Sequence, residues 1–462
     1  MIDEFLMVVF VQDGLNPTEK RGAYSLALLF ALRMAGLFML MPVLAVYGQH
    51  LQGFSPLWLG FAIGAYGLSQ ALFQIPMGWL SDRFGRKPII FLGLAIFTLG
   101  SVVAAMADSI HGVALGRALQ GMGAIASTVM ALAADLSRET QRAKVMAFIG
   151  VSIGLAFAAS LVLGPVISAV LGLSGLFWLI AGLSILAMLV VQFVVPNAQS
   201  VAPKSEVSAN SQQMLKLLKH PQLLRLDWGV FTLHLVLTSL FVIIPLRLVG
   251  AGLAAADHWA VYLPAVLISF VLMVPMLIIA AKRNQQRGYF IFAIGLLLLA
   301  NVLLLTEHAS IWLLALVLTI FFTGFNYLEA SLPALISSLA PPGNKGAALG
   351  VFSTSQFLGA FIGGSSAGAL YMWTGALAVN LFISVLLLCW IAVSWGMRAQ
   401  SGIKSYSLTI SSADQTASLL KKLQVLPGVV EAVLIASEGT VYLKVKAKEF
   451  ELNRALDLVR AG

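Results

Sequence analysis

Long apolar runs separated by short polar stretches dominate the chain between residues 24 and 397. A helix that crosses a bilayer needs roughly 20 mostly apolar residues, and the runs that reach this length form two groups of six. They are 24–47, 57–80, 88–107, 112–134, 144–170 and 175–195, followed by 227–249, 258–281, 288–306, 310–338, 347–371 and 375–397. The pattern predicts an all-α polytopic membrane protein with twelve transmembrane helices, which we number as spans 1 to 12.

The chain changes character after residue 403, where short patterns replace the long apolar runs. Alternating positions predict strands over 404–410, 429–436 and 440–446, and helical periodicity predicts helices over 414–424 and 448–460. The order βαββα resembles a small α+β ferredoxin-like domain. Metal-carrying members of that fold have a cysteine pair in the first loop, which is missing here, so we expect no metal site.

The composition favours lipid as the solvent for most of the chain, because 60% of the residues are hydrophobic and only 10% are charged. The formal charge of +9 does not indicate nucleic-acid binding, since the basic residues lie in short loops between apolar runs. The single cysteine, Cys389, rules out an internal disulfide framework.

The loop charges predict the orientation of the chain. Lysine and arginine concentrate in the loops of one side, at Lys20, Arg21, Arg83, Arg86, Lys87, Arg138, Arg142, Lys144, Lys204, Lys216, Lys219, Arg225, Lys282, Arg283, Arg287, Lys345 and Arg398. The opposite loops hold only Arg247. Basic loops stay on the cytoplasmic side, so both termini are expected to be cytoplasmic.

The two groups of spans also resemble each other in sequence. A shift of 200 residues aligns Gly150 with Gly350 and Gly164 with Gly364, which suggests a duplicated six-span unit. The predicted organisation is an N-terminal cytoplasmic extension (1–23), a first half (24–195), a cytoplasmic linker (196–226), a second half (227–397) and a cytoplasmic ferredoxin-like domain (403–462). Within the linker, 214–219 is either a short amphipathic helix or plain linker.

The loop between spans 2 and 3 gathers one acid and three bases. Its candidate residues are Gly78, Asp82, Arg83, Gly85, Arg86 and Lys87. Asp82 lies at the C-terminus of span 2, where the helix dipole disfavours an anion. We therefore expect it to face the free backbone N–H groups at the start of span 11, with Gly78 allowing close approach and Arg86 paired with Asp135. The alternative is that these charges only set topology.

This loop, G-x-x-x-D-R-x-G-R-K, resembles the signature loop of the major facilitator superfamily of secondary transporters. The resemblance implies that Asp82 and its partners form a conformational gate, which holds the two halves together on the cytoplasmic side. Gly116-Arg117-Ala-Leu-Gln120-Gly121 resembles the fourth-span motif of the family, which implies that Arg117 and Gln120 act in proton coupling.

Two helix-bending positions resemble the twelve-span drug/proton antiporter branch of this family. Pro42 in span 1 and Gly164-Pro165 in span 5 match its pattern, and a proline there is expected to bend the helix. Ser160 and the pair Ser168-Ala169 stand where the branch has glycines. The departure weakens the case for antiport over symport.

Four further polar residues lie at depth within the spans: Arg33, His234, Asn326 and Glu329. A carboxyl group facing a membrane cavity is a candidate proton carrier, and histidine is the side chain that ordinarily titrates near neutral pH. We therefore expect Glu329 and His234 to contribute to proton coupling or to the substrate cavity. The alternatives are a structural pairing of Glu329 with Arg33 or Asn326, and a packing role for His234.

The family resemblance implies a proton-coupled exporter of small molecules in the bacterial inner membrane, working by alternating access. Its expected partners are the proton, an unidentified small molecule and the lipid bilayer, and the C-terminal domain could support self-association. A nutrient uniporter or symporter, and a ligand sensor that signals through residues 403–462, remain alternatives. No nucleophile–base pair is apparent in the sequence, so neither an enzyme nor a cofactor is expected.

Overall fold

The computed structural model describes residues 14–197, 219–306, 310–340, 345–397, 403–409, 416–435, 440–446 and 449–461. Each predicted apolar run coincides with helical chain, and the ends differ by a few residues. The helices of this part are α1 (Pro17–Phe38), α2 (Met41–Tyr47), α3 (Pro56–Phe84), α4 (Arg86–Ala105), α5 (Ile110–Met122), α6 (Ala126–Asp135), α7 (Glu139–Leu189), α8 (Pro221–Gly250), α9 (Trp259–Lys282), α10 (Gln286–Leu303), α11 (Ile311–Leu339) and α12 (Lys345–Trp395). The candidate amphipathic helix at 214–219 lies almost wholly outside the described residues.

Two of these helices are each long enough for two membrane crossings. The helices α7 and α12 have 51 residues each and contain one non-helical residue, Gly172 (φ 67°) and Gly375 (φ 74°) respectively. A positive φ is a conformation that glycine adopts without steric cost, so each long helix divides there. Within the described residues, nine helices are long and apolar enough to span a membrane, counting α7 and α12 once each.

Polar caps explain where several helices begin. Asn16 and Glu19 form a reciprocal capping box at the start of α1, and the Ser55 hydroxyl accepts from the backbone N–H of Trp58 at the start of α3. The helix α1 therefore begins inside 1–23, which was predicted to be an extension. Similarly, the His220 side chain caps α8 at Pro221, inside the predicted linker.

The two halves pack tightly at the end of the bundle opposite the signature loop. A Cβ atom added to Gly60 of α3 would lie 2.1 Å from the carbonyl oxygen of Gly364 in α12, and one added to Gly64 would lie 2.7 Å from that of Phe361. Only glycine allows backbones to approach so closely. At the same end, α2 packs on α8, and the turn Ala255–Asp257 packs on α7.

The signature-loop end has no comparable glycine contact between α3 and α12. A Cβ atom on Gly78 would touch only Ser127 of α6, and one on Gly350 would meet nothing within 4 Å among the described residues. Among the described glycines, the close backbone approaches between α3 and α12 therefore lie away from the end that carries the signature loop.

The C-terminal segment forms a small unit with its own apolar core. Its elements are β1 (Ile403–Thr409), α13 (Thr416–Gln424), β2 (Val429–Ile435), β3 (Thr440–Lys446) and α14 (Leu452–Ala461). The strands form an antiparallel sheet in the order β1-β3-β2, with Tyr406 opposite Leu443. Leu419, Leu423 and Ala455 pack with Leu443 in a cluster separate from the core of the membrane part. The element order is the one that the sequence predicted.

Candidate functional site

The signature loop is a tight connection centred on Arg86. Gly85 joins α3 to α4 with φ 96°, a left-handed conformation that suits glycine. Arg86 then donates to the Asp82 carboxylate, to the Ser81 hydroxyl at 2.8 Å and, through Nε, to Asp135 Oδ2 at 3.1 Å. The expected Arg86–Asp135 pair is present, and it ties the end of α6 to the α3–α4 turn.

Asp82 does not contact the start of α12 in this conformation. Among the described residues its carboxylate pairs with Arg86, four residues further along its own loop. Gly78 likewise approaches α6 through Ser127 rather than α12. The expected contact is therefore not seen among the described residues, and the gate itself stays a prediction.

The two remaining bases of the loop have separate contacts. The guanidinium of Arg83 lies over the rings of Trp79 and Phe84, 5.8 Å and 5.6 Å from their centroids. Lys87 Nζ donates to the carbonyl oxygen of Val195 at 2.6 Å. Lys87 thus binds the end of the chain that follows α7, whereas Arg83 lies on an aromatic surface.

The arginines predicted at depth lie inside the first half. Arg33 is 2% exposed and donates to Gln70 Oε1 at 2.8 Å and to the Gly123 carbonyl at 3.0 Å. Arg117, also 2% exposed, donates to Gln120 Oε1 at 2.9 Å and lies over the Tyr66 ring. Neither arginine forms an ion pair with a carboxylate among the described residues, so Arg33 is not the partner of Glu329.

A polar cluster joins three helices of the second half. His234 of α8 lies with its Nε2 3.7 Å from Glu329 Oε2 of α11, and Gln356 Nε2 of α12 lies 2.7 Å from the same histidine nitrogen. The Gln356 amide also approaches Glu329 Oε1 at 3.5 Å. The His234 Nδ1 lies 3.2 Å from the carbonyl oxygen of Val230. If Gln356 donates to Nε2, neutral His234 carries its proton on Nδ1 and donates it to that carbonyl.

The cluster leaves Glu329 incompletely bonded. Its side chain is 41% exposed, and Oε2 has no hydrogen-bond partner among the described residues. A proton added to His234 would turn the 3.7 Å contact into an ion pair. Such an ion pair would strengthen the attraction between α8 and α11.

Asn326 is separate from this cluster, although it lies on the same helix as Glu329. Its Nδ2 donates to the Ser269 hydroxyl of α9 at 2.9 Å. Nothing in the sequence assigns a role to Gln356, because a single glutamine in a polar-rich stretch carries no spacing signal. The three-helix meeting point could be found only from the fold.

Aromatic side chains adjoin the cluster and link the two halves. The Phe325 ring lies 5.9 Å from the His234 ring and stacks at 6.1 Å on Phe157 of α7. Phe157 also meets Phe322 and Phe38 edge to face. The polar cluster is thus bordered by a surface suited to apolar and aromatic groups.

The predicted bending residues lie where the helices are interrupted or crowded. Pro42 stands in the first turn of α2, directly after the break between α1 and α2. A Cβ atom on Gly164 would lie 2.4 Å from the Met39 carbonyl oxygen at that break, and Pro165 follows within α7. The glycine is therefore required by close packing of α7 against the interrupted first span.

Comparison with known proteins gives matches over most of the chain. The family model described as Major Facilitator Superfamily matches residues 26–364. The inner membrane transport protein YajR of Escherichia coli is 44% identical over 446 residues, covering 96% of this chain and 98% of that protein. The quinolone resistance protein NorA of Staphylococcus aureus is 28% identical over 364 residues, covering 73% and 86% of the two chains.

A solved structure shares the fold at low sequence identity. The human organic anion transporter MFSD10 superposes with a TM-score of 0.60 at 21% identity, covering 82% of this chain and all of that one. Together with the family match, this likeness shows a mostly helical, multi-pass membrane fold.

Proposed function

We propose that this chain, which belongs to the Major Facilitator Superfamily, exports a small molecule across the bacterial inner membrane in exchange for protons. Membership of the family makes it a membrane transporter for small-molecule substrates, located in the inner membrane. The proposal adds the coupling ion, the direction of transport and the residues that carry the proton.

The single observation that carries the proposal is the His234–Glu329–Gln356 cluster. It places a histidine 3.7 Å from a carboxylate whose Oε2 lacks a hydrogen-bond partner among the described residues. The three residues come from α8, α11 and α12, so a proton bound there changes the attraction between helices. Ionisable groups within membrane spans commonly form such proton sites.

The membrane potential can drive this exchange. One proton that moves inward across 100 mV releases about 2.3 kcal/mol. In the proposed cycle the proton enters from the periplasm, binds the cluster and leaves to the cytoplasm, while the two halves alternate around a central site. The 41% exposure of the Glu329 side chain supports the release step.

We extend the proposal to the arrangement of the chain. The breaks at Gly172 and Gly375, together with α3, support twelve crossings in two halves of six. The basic loops support cytoplasmic termini. The separate core of the C-terminal elements supports a cytoplasmic ferredoxin-like domain, and its role would be self-association or regulation.

The proposed gate works at the signature loop. When the halves meet at the cytoplasmic end, the Asp82 carboxylate would face the N-terminus of α12, where free N–H groups and the helix dipole favour an anion. Its present bond to Arg86 holds the loop in shape in the absence of that contact. The gate would thus stabilise the outward-open conformation.

The surroundings of the cluster indicate the chemistry of the substrate. The rings of Phe157, Phe322 and Phe325 adjoin His234 and Glu329. Such a surface favours an amphipathic or aromatic molecule with a polar group that can approach the carboxylate.

The test uses purified protein in liposomes that contain a pH-sensitive dye. A substrate is first identified by ligand-induced thermal shift, then added outside the vesicles. Antiport predicts that the lumen becomes more alkaline as substrate enters and protons leave. The variant Glu329→Gln should lose this proton flux, and Asp257→Asn, an exposed acid between helices, should retain it.

Other results would identify the alternatives. Acidification of the lumen would indicate symport, and substrate uptake with no pH change would indicate a uniporter. Proton-coupled uptake that is unchanged in Glu329→Gln would disprove the role of the cluster. A chain that binds the ligand without transporting it would favour a sensor.

A further inference from the structure

Asp227 is a buried acid that the proposed transport mechanism leaves without a role. Its side chain lies near the start of α8, is 7% exposed, and has Oδ1 without a hydrogen-bond partner. Within the described part of the chain, no ion pair or hydrogen bond reaches its carboxyl group. An ionised carboxylate costs several kcal/mol to bury without a partner, whereas a protonated carboxyl costs far less.

Its position relates it to the proton-binding cluster. Asp227 precedes His234 by seven residues on α8, which is two helical turns, so the two side chains project from nearly the same face about 10 Å apart. Phe231 lies between them, and its carbonyl oxygen would be 2.1 Å from a Cβ atom on Gly359 of α12. This face of α8 therefore packs on the helix that supplies Gln356.

The segments around α8 offer few groups that could neutralise Asp227. Those packed against it are α2, α3, α11, α12 and Ala255–Asp257. Their titratable residues are Tyr47, Tyr66, Asp82, Arg83, Asp257, Tyr327, Glu329, Lys345, Tyr371 and Cys389. The side chain of Lys345 is outside the described set, and none of the others bonds to Asp227. On α8 itself, Arg225 donates to the Gly396 carbonyl at 2.5 Å.

We propose that Asp227 is a second proton-binding carboxyl, the station between the His234–Glu329 pair and the cytoplasm. The inference rests on the proposed proton coupling for the role, but not for the binding of a proton. In the release step, Asp227, which is protonated at rest, first gives its proton to cytoplasmic water. His234 or Glu329 then reprotonates the Asp227 carboxylate through water and returns it to its earlier state, so one proton leaves for each that arrived.

The first test detects the proton directly and needs no substrate. Infrared difference spectra between acidic and alkaline pH are recorded on the full chain in liposomes, in the carbonyl-stretching region of protonated carboxyl groups. The variant Asp227→Asn should lose one component of the band that the wild type shows. The matched control, Asp257→Asn, should keep it, because Asp257 is exposed in the turn Ala255–Asp257 that follows the other end of α8.

One further variant separates this inference from the proposed function. Glu329→Gln should retain the Asp227 component, even though its proton flux is lost. If Asp227→Asn and the wild type give the same spectrum, Asp227 does not bind the proton and the inference fails. If the component disappears in Asp227→Asn while Glu329→Gln transports normally, Asp227 is a proton site but the proposed coupling pair is wrong.

The second test concerns the role in release. With a substrate in hand, Asp227→Asn should keep substrate binding but lower the turnover rate at least tenfold, and should shift the pH profile of transport. Asp227→Glu should restore most of the rate, because it returns a carboxyl to the same face. Wild-type turnover and pH profile in the asparagine variant would show that Asp227 is not on the release route.

Discussion

At the scale of single residues, Glu19 is a buried carboxylate with several hydrogen-bond donors, and it lies far from the proposed transport site. Glu19 is 2% exposed and accepts from the backbone N–H groups of Asn16 and Arg138 and from the Arg138 guanidinium at 2.9 Å and 3.0 Å. One carboxylate thus joins the start of α1 to the start of α7.

This contact makes a prediction about stability. Arg138→Met removes two charged donors from a buried carboxylate, which should cost about 1–3 kcal/mol and lower the apparent melting temperature of the detergent-purified protein. Lys144→Met, an exposed lysine five residues after the N-terminus of α7, is the control and should melt like the wild type. Equal melting of both variants would mean that the Glu19 contact contributes nothing.

The residue scale also shows what sequence can and cannot supply. Arg86 and Asp135 were paired correctly, because both stood at the same predicted membrane face and each needed an opposite charge. Asp227 was overlooked because it is the first residue of an apolar run and so resembled a loop boundary. Its position seven residues before His234 was the signal available.

At the scale of elements, the two halves hold their last helices in the same way. Arg21 and Lys87 donate to the carbonyl groups that end the first half, at Val194 and Val195. In the second half, Arg225 and Arg287 donate to Gly396 and Trp395. Positions 87 and 287, like 195 and 395, differ by the 200 residues of the sequence repeat. Cations at a helix C-terminus satisfy free carbonyl groups and complement the dipole.

Each pair of basic side chains that binds the C-terminal carbonyl groups of a half should stabilise only that half. Lys87→Met removes one cationic donor from the end of the first half, a loss of about 1 kcal/mol, and hydrogen exchange over residues 189–195 should rise about fivefold. Residues 391–396 should be unaffected. Arg287→Met should give the reverse pattern. Changes at both ends in either variant would contradict independent caps.

Elements were predicted better than their junctions. Apolar length fixes the helices, since backbone groups in lipid must bond within the helix. The breaks at Gly172 and Gly375 depend on one dihedral angle each, and many glycines in the chain adopt ordinary helical angles. The start of α8 at Pro221 depended on a histidine cap, which composition does not reveal.

At the scale of the whole molecule, a single conformation can contain only some of the contacts that the sequence predicts. We expect the contact of Asp82 with α12 in a state in which the signature end is closed, whereas here the close glycine contacts of α3 with α12 lie towards the opposite end. Sequence patterns record contacts of every state without saying which ones coexist. We therefore predict that the glycine contacts between α3 and α12 and the signature loop stabilise opposite conformations of the transporter.

Variants at the two ends should move the equilibrium in opposite directions. Gly64→Val places a side chain where a Cβ atom would already be 2.7 Å from the Phe361 carbonyl, so it should favour opening at that end. Asp82→Asn weakens the proposed gate, so it should favour the conformation seen here and slow transport. Gly288→Val, where a Cβ atom meets nothing within 4 Å, is the control.

Electron–electron distances between spin labels measure both shifts in the full chain. With Cys389 replaced by alanine, one label pair joins exposed positions 144 and 283 at the signature end, and a second joins 52 and 254 at the other end. Gly64→Val should shorten the first distance and lengthen the second, because a packed interface has two discrete arrangements rather than a continuous range. In Asp82→Asn, the distance between labels 144 and 283 should stay long even at a pH where the wild type shows both a long and a short distance for this pair. If both variants shift the distances in the same direction, the two ends do not oppose each other, and the loop is not the gate.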